Sequence, residues 1–300
     1  MQIILARTVF AIFIVLLLAC SEVSEQEKVA SVRQQFEQAK YSEAALKAKA
    51  ILEQNPSAGE ARYLLGASLL ALGDLAASEI ELKKSLELEY SSDQVIPVLA
   101  KVMLARRSLK QLTEAYGDTE LESPEASNSL KTTLALAFAQ LGNTDRANSL
   151  LSLVLSKIPD HVPATLVKAR LLAGGSNFRR ALQLLDNLLT KEPNNADVLL
   201  LKADITLISD DNPLLAAELY KKVLQIKRKD VDAHFALAAI FLNQQDLIAA
   251  QRQIADLSSI APSSPQTKFF EAQLAYLLRD YAKAKSAIQE ILRIDRKSVV

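Results

Sequence analysis

Prolines that close apolar helical segments recur at a fixed interval, and this spacing constrains the fold more than any other feature of the chain. Pro159 and Pro193 lie 34 residues apart, and Pro262 follows 69 residues after Pro193. The second interval is one residue longer than two periods of 34. We assign the extra residue to a lengthened turn at 210–213, in the stretch ISDDNPLLAAE. A fixed period of roughly 20 to 50 residues predicts a stack of similar small units instead of one globule around a single core.

A column of small residues recurs at the same period. Gly66 stands in it, and the other members are Ala135, Ala169, Ala203, Ala238 and Ala272. Glycine inside a helix costs about 1 kcal/mol relative to alanine, so we expect the two helices of a repeat to cross closely at this column. Gly73 has a different predicted role, because a left-handed residue commonly ends a helix.

Each period contains an apolar helix, a turn and a second helix, which resembles the tetratricopeptide repeat (TPR). The resemblance implies an all-α, right-handed α-solenoid of about seven to eight TPR helix–turn–helix units. Composition agrees, since aromatic residues make up only 5% of the chain and tryptophan is absent, which favours close helix packing over sheets. We assign the array to residues 28–300, with a degenerate helix and a loop around 111–127. Ser123 and Pro124 are predicted to cap and begin the following helix.

The first residues of the chain have the pattern of a bacterial export signal. Arg7 precedes an apolar run at 8–19, which is shorter than the roughly 20 residues of a membrane-spanning helix. The run ends in LLAC, and the chain's single cysteine, Cys20, resembles the acylated cysteine of a lipobox. The resemblance implies removal of residues 1–19 and a lipidated tether at 20–27. An uncleaved anchor helix with an incidental cysteine is the alternative.

The residue after the cysteine bears on location. Ser21 stands there instead of aspartate, which resembles the sorting pattern for outer-membrane delivery. We therefore expect a protein attached to the bilayer through acylated Cys20 on the periplasmic face of the outer membrane. The inner membrane is the alternative.

Charge and motif content argue against several classes of function. Lys and Arg together number 35, and so do Asp and Glu. The chain therefore has no excess of basic residues, which would be expected of a nucleic-acid-binding protein. The only histidines, His161 and His234, are two repeats apart, and the chain lacks the HExxH, GxSxG and phosphate-loop motifs. We expect no enzymatic activity, no cofactor and no metal site.

In TPR solenoids the second, fifth, ninth and twelfth positions of each first helix line a concave groove, and the resemblance implies protein partners there. The candidate peptide-binding residues in these columns are Tyr63, Leu166, Arg170, Leu200, Asp204, Phe235, Leu242, Phe269 and Tyr276. The columns are mostly apolar, so a receptor for acidic C-terminal peptides is not expected. For the four candidates in the last two repeats, packing against a neighbouring helix is an equally open alternative.

One segment resembles a narrower family. Glu60–Glu114 contains ARYLLG in one helix and VIPVLA in the next, a plan similar to that of the TPR-repeat lipoproteins of the PEP-CTERM/exosortase system. The resemblance implies a non-catalytic scaffold linked to protein sorting and exopolysaccharide export, which binds envelope or exported proteins. The alternatives are an adaptor for outer-membrane or pilus assembly, an adaptor of peptidoglycan or polysaccharide machinery, and the first part of a protein with a further catalytic domain.

The last predicted helix of the sequence is not followed by a polar capping helix. Its apolar positions include Ala284, Ile288 and Ile291, whereas terminal repeats of solenoids normally carry a polar outer face. This pattern predicts an array that continues, one that is truncated, or an end that docks on a partner.

Overall fold

The computed structural model describes residues 24–209 and 212–298, which form sixteen α-helices and no strand. The helices are α1 Glu25–Glu37, α2 Tyr41–Gln54, α3 Gly59–Ala71, α4 Leu75–Glu87, α5 Ser92–Ala105, α6 Leu109–Tyr116, α7 Pro124–Gln140, α8 Thr144–Lys157, α9 Val162–Gly174, α10 Phe178–Lys191, α11 Ala196–Ser209, α12 Pro213–Ile226, α13 Val231–Asn243, α14 Leu247–Ile260, α15 Pro265–Leu277 and α16 Tyr281–Ser298. They alternate as first and second members of eight helix–turn–helix pairs, and the predicted all-α TPR fold is confirmed.

The chain divides into two compact halves, and the division falls between Leu150 and Leu151, inside α8. In the first half, α3 packs on α4, and first helices of successive pairs also touch, as α1 touches α3. In the second half, α11 packs on α12, and α13 touches both α14 and α15. Each half is therefore built by stacking helix pairs, which is the packing of a TPR solenoid.

Gly66 lies where α3 and α4 cross, as the small-residue column predicts. A Cβ atom at this position would lie 2.7 Å from Cγ of Leu82 and 3.2 Å from its backbone nitrogen. The alanines of the same column, such as Ala135 and Ala203, are fully buried. Close approach of the two helices, rather than helix propensity, explains the glycine.

In the seven pairs whose inner turn is fully described, the turn uses one left-handed residue. These residues are Ala39, Gly73, Arg107, Gly142, Ser176, Gln245 and Arg279, with φ between 57° and 84°. Only two of them are glycine, although the left-handed region costs other residues about 1–2 kcal/mol. At Gly73, two backbone hydrogen bonds close the turn, from Gly73 N–H to Leu70 O at 3.1 Å and from Asp74 N–H to Leu69 O at 2.9 Å. The turn geometry is thus conserved between pairs by backbone bonding and not by glycine.

The third pair contains the predicted irregularity. Its second helix, α6, has only eight residues, and a loop connects it to α7. The Asp93 carboxylate holds this loop by accepting hydrogen bonds from the backbone N–H groups of Glu122 and Ser123, at 3.0 and 2.8 Å. Ser123 then caps α7, and Pro124 is its first residue, as predicted.

Several predictions fall on residues outside the described range. The export signal, Cys20 and half of the tether precede residue 24, and the lengthened turn contains residues 210 and 211. The first described helix begins at Glu25, three residues before the predicted start of the array, with Ser24 and Glu27 forming a capping box. No helix of the described part of the chain is both long enough and apolar enough to span a bilayer.

Candidate functional site

Four of the candidate residues form two short rows on first helices of the second half. Leu166 in α9 and Leu200 in α11 are partly buried, while Arg170 and Asp204, each one turn later, are exposed. Residues four apart in a helix lie on the same face. The arrangement therefore presents an apolar row beside a row that carries one positive and one negative side chain.

A hydrogen bond from the second helix of its pair orients the Asp204 side chain. The Tyr220 hydroxyl, on a side chain that is 1% exposed in α12, donates a 2.7 Å hydrogen bond to Oδ1 of Asp204. Desolvation raises the pKa of Asp204, as do the charges of Asp232 and Asp230, whereas the Tyr220 hydrogen bond and the charge of Arg170 lower it. The Tyr220 hydrogen bond thus orients the carboxylate before any ligand arrives.

The four candidates in the last two repeats separate into two groups. Phe235 and Leu242 are only 8% and 3% exposed, and the Phe235 ring centroid lies 5.8 Å from that of Phe270. Phe269 and Tyr276, one period later, are 56% and 63% exposed. The packing alternative therefore describes the first two, because α15, the first helix of the next pair, covers them, while the other two are accessible to a partner.

In the first half, Tyr63 belongs to an aromatic pair. Its ring centroid lies 5.6 Å from that of Tyr90, whose hydroxyl donates a 2.9 Å hydrogen bond to Oε1 of Gln94. Burial, with a smaller contribution from the charge of Glu60, raises the pKa of Tyr90 to about 12. Both phenols therefore stay neutral over the physiological range and offer amphipathic contact area.

A cleft of about 780 Å³ lies between α1 and the start of α3. Val29, Arg33 and Glu60 contribute to its lining, and the guanidinium of Arg33 pairs with the Glu60 carboxylate. Sequence reasoning missed Arg33, although it stands one 34-residue period before Ala67 in the ninth column. It also missed Tyr90, which lies in a turn between pairs, where no column predicts a contact.

Both histidines have structural roles. His161 caps α9, because its Nδ1 accepts a 3.2 Å hydrogen bond from the Ala164 N–H, and burial lowers its pKa. His234 is 4% exposed, and its Nε2 donates to the carbonyl oxygen of Arg228 at 3.0 Å, while Nδ1 lies 2.8 Å from Oε1 of Gln253. Within the described residues, no group of three or more His, Cys, Asp or Glu side chains is placed to hold a metal ion.

Comparison with known proteins agrees with the fold. Two family models, both described as tetratricopeptide repeat, match residues 30–88 and 138–205. A tetratricopeptide repeat protein from Parabacteroides merdae superposes with a TM-score of 0.66 at 16% identity, covering 83% of this chain and 98% of that one. The human IFIT1 dimer with PPP-AAAA superposes with a TM-score of 0.63 at 13% identity, covering 88% of this chain and 68% of that one. No curated protein matches the chain. At these identities the likeness concerns the fold.

Proposed function

We propose that this chain is a scaffold that binds segments of partner proteins on the exposed faces of its first helices, because tetratricopeptide repeat models match residues 30–88 and 138–205 and helix pairs are stacked along each half of the chain. TPR domains bind protein partners in a concave groove and are typically non-catalytic. The scaffold function fits the described residues, whose histidines serve as a cap and a core contact.

The main support for this proposal is the row formed by Arg170 and Asp204. A carboxylate that Tyr220 already orients loses little freedom when it accepts a ligand's hydrogen bond, so binding costs less than at a mobile side chain. Leu166 and Leu200, beside it, are only partly buried and gain about 25 cal/mol for each Å² of apolar surface that a ligand covers. The matching ligand is a peptide segment with an apolar side chain flanked by one acidic and one basic group.

We further propose that the scaffold acts in the bacterial envelope, anchored through acylated Cys20 on the periplasmic face of the outer membrane. The LLAC sequence supports the anchor, and the resemblance of Glu60–Glu114 supports a role in PEP-CTERM protein sorting and exopolysaccharide export. Its partners are then envelope or exported proteins.

Affinity purification from envelope extracts tests the scaffold. The variant Arg170→Glu/Asp204→Lys reverses both charges of the row, and Arg179→Glu/Asp256→Lys makes the same charge changes at exposed positions of second helices in the same half. We expect the first variant to lose partners that the wild type recovers and the second to keep them. Equal recovery by both variants, with helix content unchanged by circular dichroism, would contradict the proposal.

A further inference from the structure

The last helix pair presents a group of exposed apolar side chains, which we call the terminal face. Its members and their exposed fractions are Phe269 at 56%, Tyr276 at 63%, Tyr281 at 60%, Ile288 at 50% and Leu292 at 56%. The rings of Tyr276 and Tyr281 meet edge to face with centroids 5.7 Å apart, so α15 and α16 contribute to one continuous surface. An exposed apolar cluster of this kind indicates an interaction site.

The same positions one period earlier are an established helix–helix interface. The residues 34 positions before the terminal face are Phe235, Leu242, Leu247, Ile254 and Ser258. Phe235, Leu242 and Ile254 are 8%, 3% and 4% exposed, because Phe270 and Leu274 of α15 join them in one core cluster.

Polar contacts complete this earlier interface. Ser258 Oγ donates a 2.6 Å hydrogen bond to Oε1 of Glu271 in α15. A cleft of about 290 Å³ beside it is lined by Gln251 of α14 together with Leu278 and Asp280, which follow α15. The face of one helix pair thus binds the first helix of the next pair through an apolar stripe and a polar edge.

From this equivalence we propose that the terminal face binds an amphipathic helix in the way that the preceding pair binds α15. The bound helix has two apolar side chains spaced four apart, like Phe270 and Leu274, and a carboxylate just after its last turn. The carboxylate of the bound helix pairs with Lys285, which stands one period after Gln251 at the edge of the apolar stripe. Lys285 is exposed and forms no ion pair within the described residues.

Burial argues against a second copy of this chain as the occupant. A two-fold dimer would pair the terminal face with itself, and the helix stripe that fills the earlier interface is not free in a second copy, because Phe270 and Leu274 are 7% and 8% exposed in the core of their own chain. Head-to-tail stacking lacks a matching surface, because within α1 Val29 and Val32 are buried and none of the exposed large apolar residues of the described chain lies in that helix.

A synthetic peptide with the sequence of residues 264–280, amidated at its end, is a suitable probe. It carries the Phe270 and Leu274 side chains that pack in the earlier interface and the Asp280 carboxylate that lines the cleft beside it. Titration into methyl-labelled full chain is expected to shift and saturate the NMR signals of Ile288 and Leu292. The methyl signal of Ile248, which is 70% exposed on α14, is expected to stay in place and serves as the control.

Substitutions on and off the terminal face distinguish specific docking from nonspecific hydrophobic binding. Ile288→Asp should weaken peptide binding at least about tenfold, whereas Ile248→Asp should leave it unchanged. Lys285→Glu in the protein and Asp280→Lys in the peptide should each weaken binding up to about fivefold, and the two together should restore it, because they exchange the charges of one exposed pair.

Three results would overturn the proposal. The first is an Ile288 signal that does not move at about millimolar peptide, where even a weak single-helix contact with a Kd of about 1 mM is half occupied. The second is equal weakening by Ile248→Asp. The third is a dimer mass together with Ile288 shifts that depend on protein concentration without peptide, which would identify a second copy as the occupant.

Discussion

The hydroxyl of Ser78 in α4 donates a 2.6 Å hydrogen bond to the carbonyl oxygen of Gly66 in α3, and both residues are buried. A contact this short between a side chain of one helix and the backbone of its partner requires the helices to lie very close. Gly66 makes the approach possible, because the space a Cβ atom would need is occupied by Leu82.

Gly66→Ala is therefore expected to destabilise the protein by up to about 2 kcal/mol, since overpacking costs about 1–3 kcal/mol and the gain in helix propensity returns about 1 kcal/mol. Gly174→Ala is the matched control, because no atom lies within 4 Å of the added Cβ, and it should be neutral or stabilising. Urea denaturation of both variants measures the difference. Stabilisation by both would contradict the packing explanation.

His161 is expected to make stability depend on pH. Burial lowers its pKa below the ordinary 6.5, so the unfolded chain binds a proton first as pH falls through 6.5. The folded state therefore loses stability on acidification, until pH drops below the folded-state pKa. Protonation of Nδ1 also removes the acceptor that caps α9 at Ala164 N–H.

The variant His161→Asn keeps a capping acceptor without a titrating group. Its free energy of unfolding should change less between pH 7.5 and pH 5.5 than that of the wild type, while His161→Ala should cost about 1 kcal/mol at pH 7.5. His234 is unchanged in all three proteins, so the comparison isolates the substitution at position 161. A wild type and His161→Asn with the same pH dependence would rule out this account of the cap.

The left-handed turns predict a stabilising substitution. Ala39 has φ of 57°, a conformation that disfavours residues with a Cβ atom by about 1–2 kcal/mol. Ala39→Gly should raise the free energy of unfolding by up to about 1 kcal/mol, after the added entropy of the unfolded chain is subtracted. The same substitution at Ala30, inside α1, should lower it by about 1 kcal/mol. Thermal and urea denaturation should show opposite signs, and equal signs would exclude the conformational explanation.

The lipid anchor is tested in cells. Cys20→Ser removes the only thiol of the chain, so the variant should incorporate no labelled fatty acid and should leave the membrane fraction. Ser21→Ala is the control, because it changes the neighbouring residue and keeps the thiol. A Cys20→Ser variant that sediments with membranes as the wild type does would contradict the anchor.

Much of the fold could be predicted from the sequence because repeats impose their spacing on it. The column of Gly66 identified the helix crossing, and Ser123 with Pro124 identified the start of α7. The prediction placed Phe235 and Phe269 together because they share a column. Only the structure shows that the first is covered by α15 and the second is not, since burial depends on what packs next and not on position within a repeat.

The polar part of the candidate site was less predictable. Asp204 was identified from its column, but its partner Tyr220 belongs to a second helix, where the side chain fills the core and only its hydroxyl reaches the carboxylate. Tyr90 contacts Tyr63 from a turn. Such contacts depend on distances between elements, which a periodic pattern does not contain.

A photo-crosslinking amino acid placed at Leu200 tests the scaffold proposal most directly, with the same group at Ile248 as an exposed reference on a second helix of the same half. Irradiation of cells should join partner proteins covalently to position 200, and charge reversal at Arg170 and Asp204 should abolish those adducts. Adducts that form at position 248 as readily as at position 200, or that persist after the charge reversal, would contradict the assignment of this face as the binding surface.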